Sequence, residues 1–332
     1  MDRQSNQFKR SVAMTTWNAE RYLAEQLDSL RTQTIPFDEV VIVDDASSDN
    51  TCALLHTYIA DHGLTNWHVY EHKENEGFIR SFRDALSKTT GDLIFLCDHD
   101  DVWYPEKAET MENEFYVHPE LLTLASSFDL IDAKGGAMED KRMMRRANHN
   151  LIRRSVNAGA FTWMTFEDIA GYNISPGCTL ALRSLVKEQY LSTPADMNLP
   201  HDWAVCAIAA IQNGLGYLDV PLMGYRQHEH NTLGLSRRSA YTARLKAARQ
   251  DYAQKEALLA LTHQFNASSE VKWKMKEIAQ FFAQRAQALA DRSIFQLGAL
   301  MASSAGSRFR LTIGMDIKSV IASSGSDAQS EE

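Results

Sequence analysis

Residues 93–101 read Leu93-Ile94-Phe95-Leu96-Cys97-Asp98-His99-Asp100-Asp101 (LIFLCDHDD), an apolar run that ends abruptly in acid. Five apolar residues in a row are too few for a helix and suit a strand buried on both faces, as in a parallel sheet. The pattern recurs upstream. Val40–Val43 (VVIV) runs into Asp44 and Asp45, Ser11–Thr16 (SVAMTT) runs into Trp17 and Asn18, and Trp67–Tyr70 reads as a further strand. Helical spacing fills the gaps. Leu23, Leu27 and Leu30 stand at i, i+4, i+7, Leu54, Leu55, Tyr58 and Ile59 make the next apolar face, and Ile79–Leu86 and Glu106–Tyr116 follow. Alternation of this kind predicts right-handed βαβ units in an α/β fold with a mainly parallel sheet. Such sheets bind ligands at the carboxyl ends of their strands. Thr15–Asn18, Asp44–Asp45 and Asp98–Asp101 all fall there.

Composition narrows the function. With 44% apolar and 23% charged residues the chain is an ordinary globular protein, and its net charge of -9 lacks the basic footprint of a nucleic-acid binder. The four cysteines, Cys52, Cys97, Cys178 and Cys206, form no C-x-x-C pair, against a disulfide scaffold or structural zinc. No apolar run reaches a membrane span, and MDRQSNQFKR lacks a signal peptide's apolar stretch, so a cytoplasmic protein is expected. Charge is segregated: residues 1–140 hold 11 Lys and Arg against 27 Asp and Glu, the remainder 23 against 16.

Beyond residue 135 the periodicity loosens. Lys134–Gly136 reads as a turn, residues 141–154 as a basic loop, and Trp203–Ile211 as a helix. A helical region is expected from Tyr241 to Phe295, interrupted near Asn266–Ser269, with a disordered tail over 319–332. The expected organisation is a domain over 1–235, split into a first half (1–130) and a second half (131–235), followed by a helical extension over 236–318.

Alternation along a strand exit sends Asp98 and Asp100 the same way. Three carboxylates in four positions repel one another unless a cation neutralises them, and hard oxygen ligands suit Mg²⁺ or Mn²⁺. A solvated acidic turn capping the next helix is the alternative. Asp44 and Asp45 can accept from a nucleobase imide or a ribose hydroxyl, or cap the Thr51 helix, for which Ser47, Ser48 and Asp49 are better placed. Neither a G-x-G-x-x-G nor a P-loop follows the first strand, so phosphates held here would need a metal.

The segments VAMTTWNAERYLAEQLDSLRTQT (12–34), VVIVDDASSDNT (40–51), NEGFIRSF (75–82) and GDLIFLCDHDDVWYPEK (91–107) together resemble a family 2 glycosyltransferase of the GT-A fold. The resemblance spans roughly residues 10–235 and is greatest to the bacterial rhamnosyltransferase-like branch. It implies an inverting, metal-dependent transfer from a nucleoside-diphosphate sugar, dTDP-rhamnose or a UDP-sugar, to a saccharide or lipid-linked saccharide in cell-surface polysaccharide synthesis. It places Thr15 and Asn18 in the first nucleotide-contact motif, Asp45 with Asp44 at the base, Asp98 at the ribose and diphosphate, and Asp100 on the metal. Asp202, in Pro200-His201-Asp202-Trp203, takes the catalytic-base position, with His201 beside it as tuner or acceptor contact. In Tyr225-Arg226-Gln227-His228, His228 is placed near the metal and Arg226 at the leaving diphosphate. Gly177 and Cys178 of the S-P-G-C turn, with His99 and Trp103, fall on the substrate side. The chain departs from the family where His99 replaces glutamine, where Thr16-Trp17 replaces a tyrosine, and where Glu229-His230 replaces Gly-Asn.

Two other functions fit the acidic cluster: a metal-dependent phosphohydrolase, and a non-catalytic sugar-nucleotide binder. Arg145, Arg146, Arg153, Arg154, Arg237, Arg238, Arg244, Lys246 and Arg249 are read either as a lipid-headgroup surface for peripheral membrane association or as solvated helix faces. Trp273, Phe281, Phe282, Ile294 and Phe295 are read as a packing surface, with a homo-oligomer interface as a further reading.

Overall fold

The computed structural model describes residues 8–138, 151–152, 154–228, 241–303 and 306–328, with side chains to residue 323. The chain divides into two compact units, residues 1–232 and 233–332.

The first unit is a nine-stranded sheet with flanking helices. β1 (Arg10–Thr16), β2 (Glu39–Asp44), β3 (Trp67–Glu71) and β4 (Leu93–Cys97) lie parallel in the order β3-β2-β1-β4. They are joined by α1 (Leu23–Arg31), α2 (Thr51–Asp61) and α3 (Phe78–Lys88). Every residue of β1 and β4 is buried, as an apolar run covered on both faces must be. Thr16 pairs with Asp44 and Met14 with Cys97, so the polar ends of β1, β2 and β4 emerge along one sheet edge.

The second half is mixed. After β5 (Val102–Trp103) and α4 (Lys107–Val117) come β6 (Thr123–Ile131), β7 (Phe161–Met164), α5 (Phe166–Ala170), β8 (Leu180–Arg183), α6 (Ser184–Leu191), α7 (His201–Ile211) and β9 (Leu215–Arg226). β8 sits antiparallel between β4 and β6, β9 runs parallel to β6, and β5 and β7 run antiparallel to β9. The sheet thus continues as β4-β8-β6-β9-β5, crossing the expected division at residue 130 without a break.

β6 and β9 were not expected from the sequence. β6 buries Ser126 and Ser127 among its apolar residues, which hides its strand pattern, and β9 contains Gly216, Pro221 and Gly224, residues that usually mark turns. Pro221 is tolerated because the register slips beside it: Ser126 pairs with Leu218 and Ser127 with Pro221.

The second unit is helical: α8 (Tyr241–Gln264), α9 (Ser269–Ala290), α10 (Ile294–Ala302) and α11 (Arg310–Ala328). The expected interruption is there. Asn266 takes a left-handed φ of 52°, and the Ser268 hydroxyl accepts from Val271 N to start α9. Leu258, Leu261, Met275, Phe281, Phe282, Leu289, Leu297, Phe309, Ile313 and Val320 are buried. Asp316 is fully buried among them, held by Arg244 and Arg285. The expected disorder from 319 gives way to helix through Ala328, because Ser319 and Val320 are themselves buried.

Candidate active site

At the end of β2 the acids are fully engaged by the protein. The buried Asp44 carboxylate accepts from Thr16 Oγ1 (2.7 Å), Ser47 N (2.8 Å) and Ser47 Oγ (2.6 Å), which ties β1 to the loop after β2. Asp45 accepts from Glu76 N and Gly77 N (both 2.8 Å) and sits 3.1 Å from His72 Nδ1. Gly77 precedes α3 at φ 86°, a value glycine adopts without strain, so Asp45 anchors the start of that helix. Burial alone would raise the Asp45 carboxyl, but the bonds from Glu76, His72 and Gly77 hold it below the ordinary carboxylate value. Asn18, at φ 48°, donates its N–H to Ser47 Oγ and accepts from Ser48 N through Oδ1, joining the loops after β1 and β2. Thr15 is buried on β1, and Trp17 stands 53% exposed beside them.

The end of β4 is the opposite. Asp101 is fully buried; its Oδ1 accepts from Arg226 N (3.1 Å), and its Oδ2 meets no nitrogen or oxygen donor among the described residues, with the Cys178 thiol beside the carboxylate. Burial, then the neighbouring Asp100 and Asp98 charges, push Asp101 well above the carboxylate range. Burial and Asp100 push Asp98 up to about 6. The buried cation below them is Lys107, which donates to the Cys178 carbonyl (2.5 Å), lies 4.0 Å over the Trp103 ring, and is pushed down to about 8 by burial. Asp100 Oδ2 meets His228 Nε2 at 2.7 Å, across 128 residues of sequence, so the two residues expected on a metal do come together. His99, between Asp98 and Asp100, is half-buried.

A third group adjoins this edge. Asp202 lies in the first turn of α7, 7% exposed, where Oδ2 accepts from Asn173 Nδ2 (2.8 Å) and Oδ1 from Trp203 N (2.7 Å). Burial pushes its carboxyl up to about 6, and its charge is near enough to oppose that of Asp98. His201 is stacked on Phe82 at 3.8 Å, with both ring nitrogens buried and making no hydrogen bond among the described residues, and burial drives it down to about 3, so it is neutral. Gly177 permits this packing: a Cβ there would stand 2.8 Å from His201 Nε2 and 3.6 Å from Asp202 Cβ.

Three expected ligand contacts are corrected by burial. Trp103 is 2% exposed in the core against Phe37 and Phe95, out of reach of an acceptor. Cys178 is fully buried below Asp98 and Asp101 and supports the site from beneath. Arg226, 1% exposed, spends its guanidinium on the Asp100 carbonyl (2.7 Å), the Asp132 carbonyl (3.3 Å) and Glu25 (2.6 Å), and lies 4.8 Å over Tyr22. It positions the DHDD loop; a diphosphate would have to displace these bonds. Asn173, Glu25, Tyr22 and Lys107 were missed, since only tertiary packing brings them here. Among the basic residues, Arg244 is an internal ion-pair partner, Arg154 donates to the Trp163 carbonyl, and Lys246 and Arg249 are exposed. Arg145, Arg146, Arg153, Arg237, Arg238, Glu229 and His230 lie outside the described residues.

The donor set fits a hard divalent cation: partly exposed Asp98 and Asp100 carboxylates, a facing imidazole, and acids whose raised values record uncompensated negative charge. Asp98, Asp101 and Cys178 also place ligand atoms within 4.8 Å of one another, but burial keeps the Cys178 thiol protonated, so it is not counted as a ligand.

Comparison with known proteins agrees with this architecture. Residues 11–187 match the family described as glycosyl transferase family 2. A dTDP-rhamnosyl transferase, RfbG of Shigella flexneri, is 25% identical over 260 residues, covering 73% of this chain and 81% of its own length. Staphylococcus aureus TarS (residues 1–349), solved with UDP-GlcNAc, superposes with TM-score 0.54 at 19% identity, covering 96% of this chain and 92% of that one. A Pyrobaculum calidifontis mannosyltransferase, solved with GDP-Man and Mn²⁺, superposes with TM-score 0.54 at 16% identity, covering 96% and 87%. The two structures share the GT-A fold, and the family match takes in more than half of the chain, β1 to β8 included. The chain belongs to glycosyl transferase family 2 and is a glycosyltransferase.

Proposed function

We propose that the enzyme is an inverting, divalent-cation-dependent transferase that moves a sugar from a nucleoside-diphosphate sugar to a saccharide or lipid-linked saccharide hydroxyl. The donor we favour is dTDP-rhamnose, with UDP-sugars second. The RfbG relative, which spans most of both chains, supports rhamnose. The neighbours solved with UDP-GlcNAc and GDP-Man support the nucleotide-sugar class. The setting we propose is the cytoplasmic stage of cell-surface polysaccharide synthesis; no helix among the described residues is long and apolar enough to cross a membrane.

In this reading Asp202 is the general base. Its raised value near 6 leaves it ionised at neutral pH yet basic enough to accept a proton, and Asn173 fixes its orientation. The acceptor oxygen attacks the anomeric carbon while its proton passes to Asp202, and the anomeric carbon–oxygen bond to the nucleoside diphosphate breaks with inversion. Asp98, Asp100 and His228 would hold Mn²⁺ or Mg²⁺, which supplies Lewis-acid stabilisation of the leaving diphosphate's charge. Asp45, Thr15 and Asn18 shape the nucleoside end, with Asp44 and Arg226 as struts. His201 and Phe82 keep water from the base.

The observation that carries this reading is the meeting of raised acids from two segments, Asp98 with Asp101 and Asp202, at one sheet edge. The test is a thermal-shift and turnover panel of dTDP-rhamnose, UDP-sugars and GDP-mannose, each with and without Mn²⁺. The reading predicts cation-dependent stabilisation by one nucleotide class and inverted product. Release of inorganic phosphate from simple phosphoesters, with no sugar transfer, would replace it with the hydrolase alternative.

A further inference from the structure

The second unit carries a surface that its own fold leaves uncovered. α10 has no charged residue, and only Leu297 and Leu300 are fully buried. Its outward face holds Ile294 (44% exposed), Phe295 (87%), Gly298, Ala299 and Ala302, with Gln296 as its one exposed polar side chain. On α11, Ile313, Asp316 and Val320 point inward, while Leu311 (86%), Met315 (50%), Ile321 (55%) and Ala322 point outward. The two faces are adjacent, since a Cβ at Gly314 would lie 3.9 Å from Met301 Cε. α10 buries one apolar stripe and exposes further apolar residues, and α11 adds an exposed row of Leu311, Met315 and Ile321, so apolar surface from two neighbouring helices is left uncovered.

The charge around the patch is mainly positive, with the exposed Asp291 beside Arg292 as the acid at its margin. Arg308, Arg310 and Lys318 are exposed at its edge, with Arg292, also exposed, over the Tyr241 ring. Between residues 292 and 323 the described acid is Asp316, buried and bound to Arg244 and Arg285. Asp327, Glu331 and Glu332 lie beyond the last described side chain. A second copy packed about a two-fold axis would bring two predominantly cationic rims together, four basic residues to one exposed acid in each. An anionic bilayer offers acyl chains to the apolar face and negative headgroups to the rim.

We infer that α10 and α11 form an interfacial surface that rests on anionic phospholipid, apolar side down and cations at headgroup level. The surface lies on the bilayer and does not cross it. The inference holds whatever the donor sugar, and it involves no residue of the proposed catalytic site.

The test uses the full chain and flotation with vesicles of phosphatidylcholine alone or mixed with phosphatidylglycerol. The parent is expected to float with the anionic vesicles and at least roughly tenfold less with the neutral ones, since each basic residue near such a surface adds about fivefold. Phe295→Glu with Leu311→Glu, and separately Arg308→Glu with Arg310→Glu, should each reduce flotation about tenfold or more with the melting temperature unchanged; high salt should weaken the parent's binding. Failure of the parent to float, or flotation equal in parent and variants, overturns the inference. A parent that sediments as a dimer, with Phe295→Glu/Leu311→Glu a monomer, assigns the face to a second copy and also overturns it.

Discussion

The ends of β2 and β4 carry acids in adjacent parts of one sheet edge, yet the protein treats them in opposite ways. Asp44 and Asp45 receive five hydrogen bonds from backbone and hydroxyl donors, with His72 beside them, and Asp45 is held below the ordinary carboxylate value. Asp98 and Asp101 are raised by burial and by the Asp100 charge beside them, with Asp101 Oδ2 making no hydrogen bond among the described residues and a buried lysine beneath. The first pair is complete without a ligand and builds the framework. The second is left short of positive charge, which is the condition for binding a cation and an anionic diphosphate together.

Mutation separates the two strand ends. The largest effects are expected at the under-compensated acids. Asp202→Asn and Asp100→Ala should each lower transfer by about 10³-fold, the range for losing a base or a charge-stabilising group. Neither should lower the cation-free melting temperature at pH 8, because each removes a negative charge from a site crowded with acids. A variant that melts well below its parent would erase the distinction between the two strand ends.

Asp45→Ala should behave in reverse. Leaving Glu76 N and Gly77 N unpaired at the start of α3 is expected to cost about 2 kcal/mol of stability, seen as a lower melting temperature even without nucleotide. Its pH dependence has a definite sign. Asp45 is held below its ordinary value, so its contribution is complete above that value and is lost as pH falls through the lower folded one. Asp202 is raised instead, so the transfer rate should fall about tenfold per unit below pH 6, while the Asp45 framework is still intact.

A smaller effect is expected at Asn173. Asn173→Ala frees Asp202 Oδ2 and should cut kcat about tenfold with little change in KM for the donor, and shift the acidic limb of the rate profile. A changed KM with an unchanged profile would mean that Asn173 only shapes the pocket.

These contrasts also explain what was legible in the sequence. β1 to β4 were readable because VVIV and LIFLC are buried on both faces and end in polar residues, so composition and position coincide. β6 and β9 were not, since buried Ser126 and Ser127, and Pro221 at a register slip, obscure their strands. The Asp100–His228 contact was anticipated through family resemblance, not spacing. The burial of Trp103 and the struts around Arg226 were invisible, because Glu25, Asp132 and the DHDD loop converge only in the folded chain. Asn173 had no signal for the same reason.

In the proposed enzyme the acids after β4 bind a divalent cation together with a nucleoside diphosphate. Calorimetric titration of the nucleoside diphosphate, with Mn²⁺ and with chelator, into the parent and Asp100→Ala tests it most directly. The account predicts tight binding only for the parent with Mn²⁺, adding about 2.7 kcal/mol of stability at a hundredfold excess over Kd. Equal affinity in chelator, or in Asp100→Ala, would contradict it.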